Sequence, residues 1–347
     1  MLDIFRGDAF STTSLTRYVE RNPYLPVGLG ELGLFVPTPV RTRTVAVEER
    51  DGQLTVIKTS ELGAPPQERT GEKRKIRDLR TTRLALSDTL YATEVEGVRD
   101  FGEETALMQI QAEVARRLSG PTGLQNSLEL TRERHRLGAI QGIVLDADGS
   151  TIYNYFTEFG IAESAELNFN LADRTAGFEG RLRKACNAVV RAMIRACKGS
   201  FTSRSRVVAI CGDEFWDALT THPDVEKTYL NWQAAQELRG GNAFGAMDFG
   251  GISWTNYRGT DDGTTVAVGT DKVRFVPQGA GDVFQEVMAP AEFAPWINTM
   301  GKKEYIIPIV DKDRNAWWKQ EIYSYPLFLC SRPEVLMRGK LATGAWA

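Results

Sequence analysis

Histidine is nearly missing from this sequence: His135 and His222 are the only two in 347 residues. With no HExxH and no paired His/Cys cluster, a transition-metal centre is not expected. Cysteine is scarce too. Cys186, Cys197, Cys211 and Cys330 are scattered without a CxxC pair, which argues against structural zinc and a redox dithiol. Two of them fall in apolar helix or strand patterns, as buried, reduced thiols of a cytoplasmic-type protein do. No apolar run reaches about 18 residues, so no transmembrane helix and no membrane partner are expected. The opening Met1-Leu2-Asp3-Ile4-Phe5-Arg6 has neither a basic start nor an apolar block, so no secretory signal is expected. Net charge is only −3, which gives no global pull toward nucleic acid or an anionic membrane.

Catalytic motifs are missing as well. There is no GxSxG, no GxxxxGK followed by Ser or Thr, and no GxGxxG behind a strand. Asp146 and Asp148 stand in a D-x-D-G run without the later ligands of a calcium loop, so the run reads as a turn. Cys211 and His222 follow the same strand, but Cys211 ends a buried run and no third group orients the pair. His222 reads as part of a helix start. His135, between Arg134 and Arg136, reads as exposed. No enzyme, no cofactor and no metal are expected.

What is present is an ordinary globular composition, 42% hydrophobic and 25% charged, without internal repeats. One stretch organises the rest. After the breaker run Ser119-Gly120-Pro121, residues Leu124 to Gln141 hold no proline and one glycine, predicting a helix of about 27 Å at about 1.5 Å per residue. Its apolar stripe is thin and its middle, Arg132 to Arg136, is charged nearly all round. The rod is therefore expected to lie across a surface with its charge available to neighbours. Ile143-Val144-Leu145 and Thr151 to Phe156 flank Asp146-Ala147-Asp148-Gly149, a hairpin signal.

Residues 1–40, broken by Pro23, Pro26, Pro37 and Pro39 yet apolar, read as an arm packed on this chain's body or on a neighbour. Thr42 to Glu48 alternates as a strand, turning at Asp51-Gly52 into Leu54 to Lys58. Arg69 to Arg77 reads as a basic flexible tract, and Thr81 to Leu86 as a returning strand. Glu103 to Leu118 is an amphipathic helix. Thr175 to Lys198 is the longest predicted helix, with Phe178, Leu182, Cys186, Val189, Met193 and Cys197 inward. Its six bases, Arg181, Arg183, Lys184, Arg191, Arg195 and Lys198, have no interleaved aromatics and read as solvated or subunit-facing. Arg206 to Cys211 is a buried strand. Asp213 is read as the N-cap of the next helix, and another helix starts at Thr221. Strands at 251–254, 266–268, 273–276, 283–288, 305–308, 317–323 and 334–338 follow. The late ones are expected to return beside the 122–156 stretch.

The strings Gly281 to Glu286, Ala289 to Phe293, Tyr325-Pro326-Leu327, Ser331 to Leu336 and Cys211 to Asp217 running into His222-Pro223 resemble the lambda-type tailed-phage major capsid protein family, major capsid protein E. The resemblance covers nearly the whole chain. It implies an α+β architecture, the Hong Kong 97-type capsid fold. Its implied parts are an N-terminal arm (1–40), an extended loop (41–95), the first part of a peripheral domain with a spine helix (96–174), an axial α/β domain (175–281) and C-terminal strands returning to the peripheral domain (282–347). The implied role is structural: self-assembly into hexamers and pentamers tiling an icosahedral head around double-stranded DNA. Scaffold, portal and decoration proteins are implied partners, with assembly in the host cytoplasm and final residence in the virion. A nanocompartment shell of the encapsulin kind and a tail-tube subunit are the alternatives. On this reading Arg74, Lys75, Arg77, Arg132, Arg134, Arg136, Asp146 and Asp148 are candidates for subunit contacts.

Overall fold

The computed structural model describes residues 23–51, 73–96, 110–172, 180–230 and 245–341. In chain order these form α1 (Gly28–Glu31), β1 (Val36–Pro39), β2 (Thr44–Asp51), β3 (Lys73–Arg80), β4 (Leu84–Tyr91), α2 (Ala92–Val95), α3 (Ile110–Ser119), α4 (Leu124–Gln141), β5 (Ile143–Leu145), β6 (Thr151–Asn154), α5 (Tyr155–Phe159), β7 (Leu167–Asn168), α6 (Arg181–Cys197), β8 (Arg206–Cys211), α7 (Asp213–Thr220), α8 (Pro223–Leu230), β9 (Ala246–Phe249), β10 (Ile252–Asn256), β11 (Lys272–Gln278), β12 (Phe284–Met288), β13 (Tyr305–Val310), β14 (Trp317–Ser324), β15 (Pro326–Cys330) and β16 (Met337–Lys340). The predicted turn and strand at 52–58, and the first turns of two predicted helices, lie outside the described residues.

A six-stranded sheet in the order β7-β16-β11-β8-β10-β9 carries the α/β layer. Its centre is β8, buried from Val207 to Cys211 because both faces are covered. Phe169, Phe215, Trp254 and Phe275 pack ring to ring beside it at centroid distances of 5.6 to 6.1 Å. The helix α6 turns Leu182, Cys186, Val189, Met193 and Cys197 inward, as its three-and-four spacing predicts. Gly212, not Asp213, is the N-cap of α7; Asp213 is the first helical residue. No strand forms at 266–268, and the predicted strand at 334–338 is a 3-10 turn followed by β16. β16 joins the six-stranded sheet between β7 and β11, not the strands beside α4.

Two smaller sheets build the other half. β12 lies between β1 and β15, with β1 parallel to it. Pro37 and Pro39 lack an amide hydrogen, which an edge strand tolerates. β14 lies between β13 and β4. The strand predicted to return along the extended loop is therefore β4, paired with β14 from Leu84↔Ser324 to Tyr91↔Trp317. The partner of β2 is β3, in the tract read from sequence as flexible. One face of the β13-β14-β4 sheet buries Ile322 against Leu124 and Leu128 of α4.

α4 spans Leu124–Gln141, as its sequence predicts, and ends in Gly142 at φ +87. The left-handed cap turns the chain straight into β5, and the Phe156 ring fills the space a side chain at 142 would need. Gly142→Ala meets both the backbone penalty and the ring, so we expect a loss of about 2–4 kcal/mol in urea unfolding of the subunit.

Candidate assembly site

The middle of α4 is not an outward-facing charged rod. Arg132 is 1% exposed, Glu133 0% and Arg136 5%, all buried inside their own chain. Partners arrive from five remote segments. Arg132 donates to the Lys303 carbonyl (3.1 Å), to Ser324 Oγ (3.2 Å) and, closely, to the Glu286 carboxylate. Arg136 donates to Glu129 (2.7 Å) and Glu133 (3.0 Å) and lies 3.5 Å from Glu286. Glu133 accepts from the Leu29 amide (2.7 Å) and from the Tyr257 hydroxyl (3.2 Å). Lys303 meets Glu129 at 2.8 Å. Cations Arg132, Arg136 and Lys303 thus balance carboxylates Glu129, Glu133 and Glu286, and both guanidinium groups sit over the Phe328 ring.

Such burial is tolerable only because the charges are paired and hydrogen-bonded. Burial lowers the Arg132 pKa to about 10, still well above neutrality. Burial raises the Glu133 carboxyl, against the pull of Leu29 N–H and Arg136. At Glu129 burial also pushes upward, but Lys303 and Arg136 outweigh it and the group titrates low. The cluster joins α1, α4, β12 and the turn before β13 in one network. Arg132 and Arg136, expected at subunit contacts, are spent inside the subunit.

His135 is likewise buried, at 2% exposure, with its ring edge-on to Phe328; the exposure expected from its charged neighbours does not occur. Burial depresses its pKa to about 4, with Arg134 and Arg132 adding to the effect and Asp146 opposing it. The unfolded chain takes up this proton near pH 6.5, the folded chain only near pH 4. Between those values the unfolded state binds more protons, so stability falls as pH falls, by up to about 3 kcal/mol. Replacing His135 by Leu should flatten the dependence of the unfolding midpoint on pH between about 6.5 and 4.

Arg134, Asp146 and Asp148 do come together at the surface. Arg134 donates to the Asp146 carbonyl (2.9 Å), tying α4 to the β5–β6 turn. Asp146 accepts from the Ala147 amide and Asp148 from the Ser150 amide, so both carboxylates shape the turn. Gly149, at φ +84, completes it.

The second surface is the β2–β3 hairpin. On one face Val45 lies opposite Leu79 and Val47 opposite Arg77. Leu79 is buried, Arg77 half-buried and Lys75 exposed, so the ladder leaves the body as it runs outward. Arg77 anchors the root: it donates to the Glu158 carbonyl (2.9 Å) and lies over the Phe159 ring. Tyr153 pins Arg80 through both its amide and its carbonyl. Arg74 lies in the β3 ladder opposite Arg50. On the other face Ile76 is 69% exposed, with little over it among the described residues.

The arm from Tyr24 onward packs on its own body. The Tyr24 amide donates to Asp261 (3.1 Å), Arg258 lies over the Tyr24 ring, and Gln278 donates to the Leu32 carbonyl (2.5 Å). Glu286, Tyr257 and Lys303 were not singled out in the sequence. A lone carboxylate within the apolar run Phe284 to Met288 was the available signal for Glu286. Cys211 is wholly buried and its thiol is pushed far up by that burial, which is not the environment of a nucleophile. Among the described residues no group of three or more His, Cys, Asp or Glu could hold a metal ion.

Comparison with known proteins gives consistent matches along the chain. The profile of the family described as "Phage major capsid protein E" matches residues 11–341. The major capsid protein of Salmonella phage Felix O1 is 22% identical over 368 residues, spanning 97% of this chain and 98% of its own. That of Pseudomonas phage KPP10 is 25% identical over 335 residues, spanning 90% and 91%. Among solved structures, a chain of the capsid of cyanophage P-SCSP1u has a TM-score of 0.54 at 11% identity, covering 97% of this chain and 94% of that one. A chain of the capsid of bacteriophage PhiM1 has a TM-score of 0.52 at 14% identity, covering 93% and 88%.

Proposed function

The chain belongs to the phage major capsid protein E family, has the Hong Kong 97-type capsid fold and is a structural protein of the phage virion; on that premise we propose that it closes an icosahedral head by forming hexamers and pentamers around double-stranded DNA. The observation that carries this reading is the β2–β3 hairpin. Among the described residues it is a two-stranded ladder that presents Ile76 to solvent, so its outer edges and that isoleucine are open to a neighbouring subunit. The hairpin tip at Asp146–Ser150 is the second contact we assign, with Arg134 holding it in place. Arg74, Lys75 and Arg77 belong to the hairpin that crosses to the neighbour. Scaffold, portal and decoration proteins would meet the assembling shell in the host cytoplasm. The proposed division keeps an arm, an extended loop now centred on 44–80, a peripheral part around α4 and an axial part around the six-stranded sheet.

The test is electron microscopy of the purified full chain under assembly conditions. Closed shells of uniform diameter are expected; monomers under all conditions, or open tubes and rings, would sink the reading. Charge reversals refine it. Arg134→Glu breaks a surface tie and should reduce shell yield with the subunit still folded. Arg136→Glu places a fourth carboxylate in the buried cluster and should prevent folding, read as loss of the cooperative unfolding transition.

A further inference from the structure

The helix α6 contains no Asp or Glu in its 17 residues, although the whole chain carries net charge −3. Its inward face is fully used by Leu182, Cys186, Val189, Met193 and Cys197. At about 100° per residue, Lys184, Arg191 and Arg195 fall within about 40° of one another on the opposite side, with Arg181 and Lys198 continuing the row at either end. All five are exposed. The row is about 25 Å long at about 1.5 Å per residue. Lys184, Arg191 and Arg195 make no ion pair among the described residues. Between Lys184 and Arg191 the exposed side chains of the helix are the short Asn187 and Ala188, which leave the row open on α6 itself.

This arrangement weakens the helix that carries it. Arg181, Arg183 and Lys184 occupy the first turn, where the helix dipole is positive and cations are unfavourable. Arg181 with Lys184 and Arg191 with Arg195 are like-charge pairs three and four apart, which repel. At this end of the helix both oxygens of Asp224 on α8 accept the Gly180 amide (3.1 and 3.0 Å). Arg183 turns aside to Thr228 and over the Phe249 ring. The aromatic-free row of cations has one exposed large apolar side chain beside it, Ile194 at 43%, and so offers little to a lipid surface or an apolar partner. It fits a repeating polyanion read without regard to sequence.

We propose that the outward face of α6, centred on Lys184, Arg191 and Arg195, binds the phosphate backbone of the double-stranded DNA inside the shell. This rests on the shell reading above. Contacts of this kind go to phosphates, position the duplex and carry no base specificity.

The experiment uses the purified full chain and a mixed-sequence duplex of about 30 base pairs, titrated across about 50 to 200 mM salt. The variant Lys184→Gln/Arg191→Gln/Arg195→Gln should bind at least about tenfold more weakly at the low end, with the slope of log K against log salt smaller by about 2 to 3. Its unfolding midpoint should hold or rise, since repulsive pairs are removed; a merely structural role predicts a fall. The same preparations are imaged for shells. Shells with unchanged duplex binding in the variant overturn the α6 assignment and leave the shell reading intact. A variant that stops assembling but binds duplex as before makes α6 a protein interface, and also overturns it. Weakened duplex binding by the variant, with no shells from either protein, upholds the basic face and overturns the shell reading.

Discussion

Arg132→Met should cost about 3–5 kcal/mol of subunit stability, measured as the shift in urea unfolding at constant slope. The substitution keeps the volume and apolar stem of the side chain but removes three donors at once. Glu286 then stays buried in β12 without the guanidinium that neutralises it, and Ser324 and the Lys303 carbonyl lose a donor. The penalty arises mainly from what is left behind. The paired replacement Arg132→Met with Glu286→Leu should therefore recover a large part of the loss, because an apolar pair of similar volume avoids the desolvation altogether. A single variant that loses under about 1 kcal/mol, or a double variant that loses the sum of the two, would show that the cluster is not a coupled unit.

Ile76→Asp should do the opposite: leave the subunit folded and cut the yield of closed shells at least about tenfold. Burying an isoleucine contributes about 1.5–3 kcal/mol, and about 1.4 kcal/mol is a factor of ten in each contact. A shell repeats that loss at every equivalent contact. Leu79 on the same strand supplies the contrast. It is 1% exposed and faces the body, so Leu79→Asp should unfold the root of the hairpin and lower the unfolding midpoint itself. If Ile76→Asp assembles normally, the hairpin's outer face is not a subunit contact.

Boundaries set by local chemistry were legible in the sequence. The bounds of α4 follow from Gly120-Pro121 before it and Gly142 after it, and β5–β6 follows from Asp148-Gly149. What lay on either side of those elements was not legible. A helix dense in Arg and Glu looks solvent-facing by composition, and its burial depends on Leu29, Tyr257 and Glu286, each more than a hundred residues away in the chain. His135 was misplaced for the same reason. The strand β3 reads as a loop because Lys-Arg-Lys-Ile-Arg-Asp-Leu-Arg has the charge of one, yet a ladder with one face in water and the other buried only at its root tolerates charge at most positions. The strand β4 was visible but its partner was not, because alternation sets a face and says nothing about which edge is free. Of the candidate contact residues, Lys75, Arg134, Asp146 and Asp148 remain at the surface. Arg132 and Arg136 do not.

The position of β16 has a consequence for how the molecule is made. Met337–Lys340 inserts between β11 and β7, and β7 has no other strand partner. Until those four residues leave the ribosome, the large sheet has an open edge along Lys272–Phe275, where β16 later pairs, and Leu167–Asn168 has nowhere to dock. Folding of the α/β layer is therefore completed only after Met337–Lys340 has been made. A prematurely terminated chain keeps a raw sheet edge and stays a substrate for proteases and chaperones.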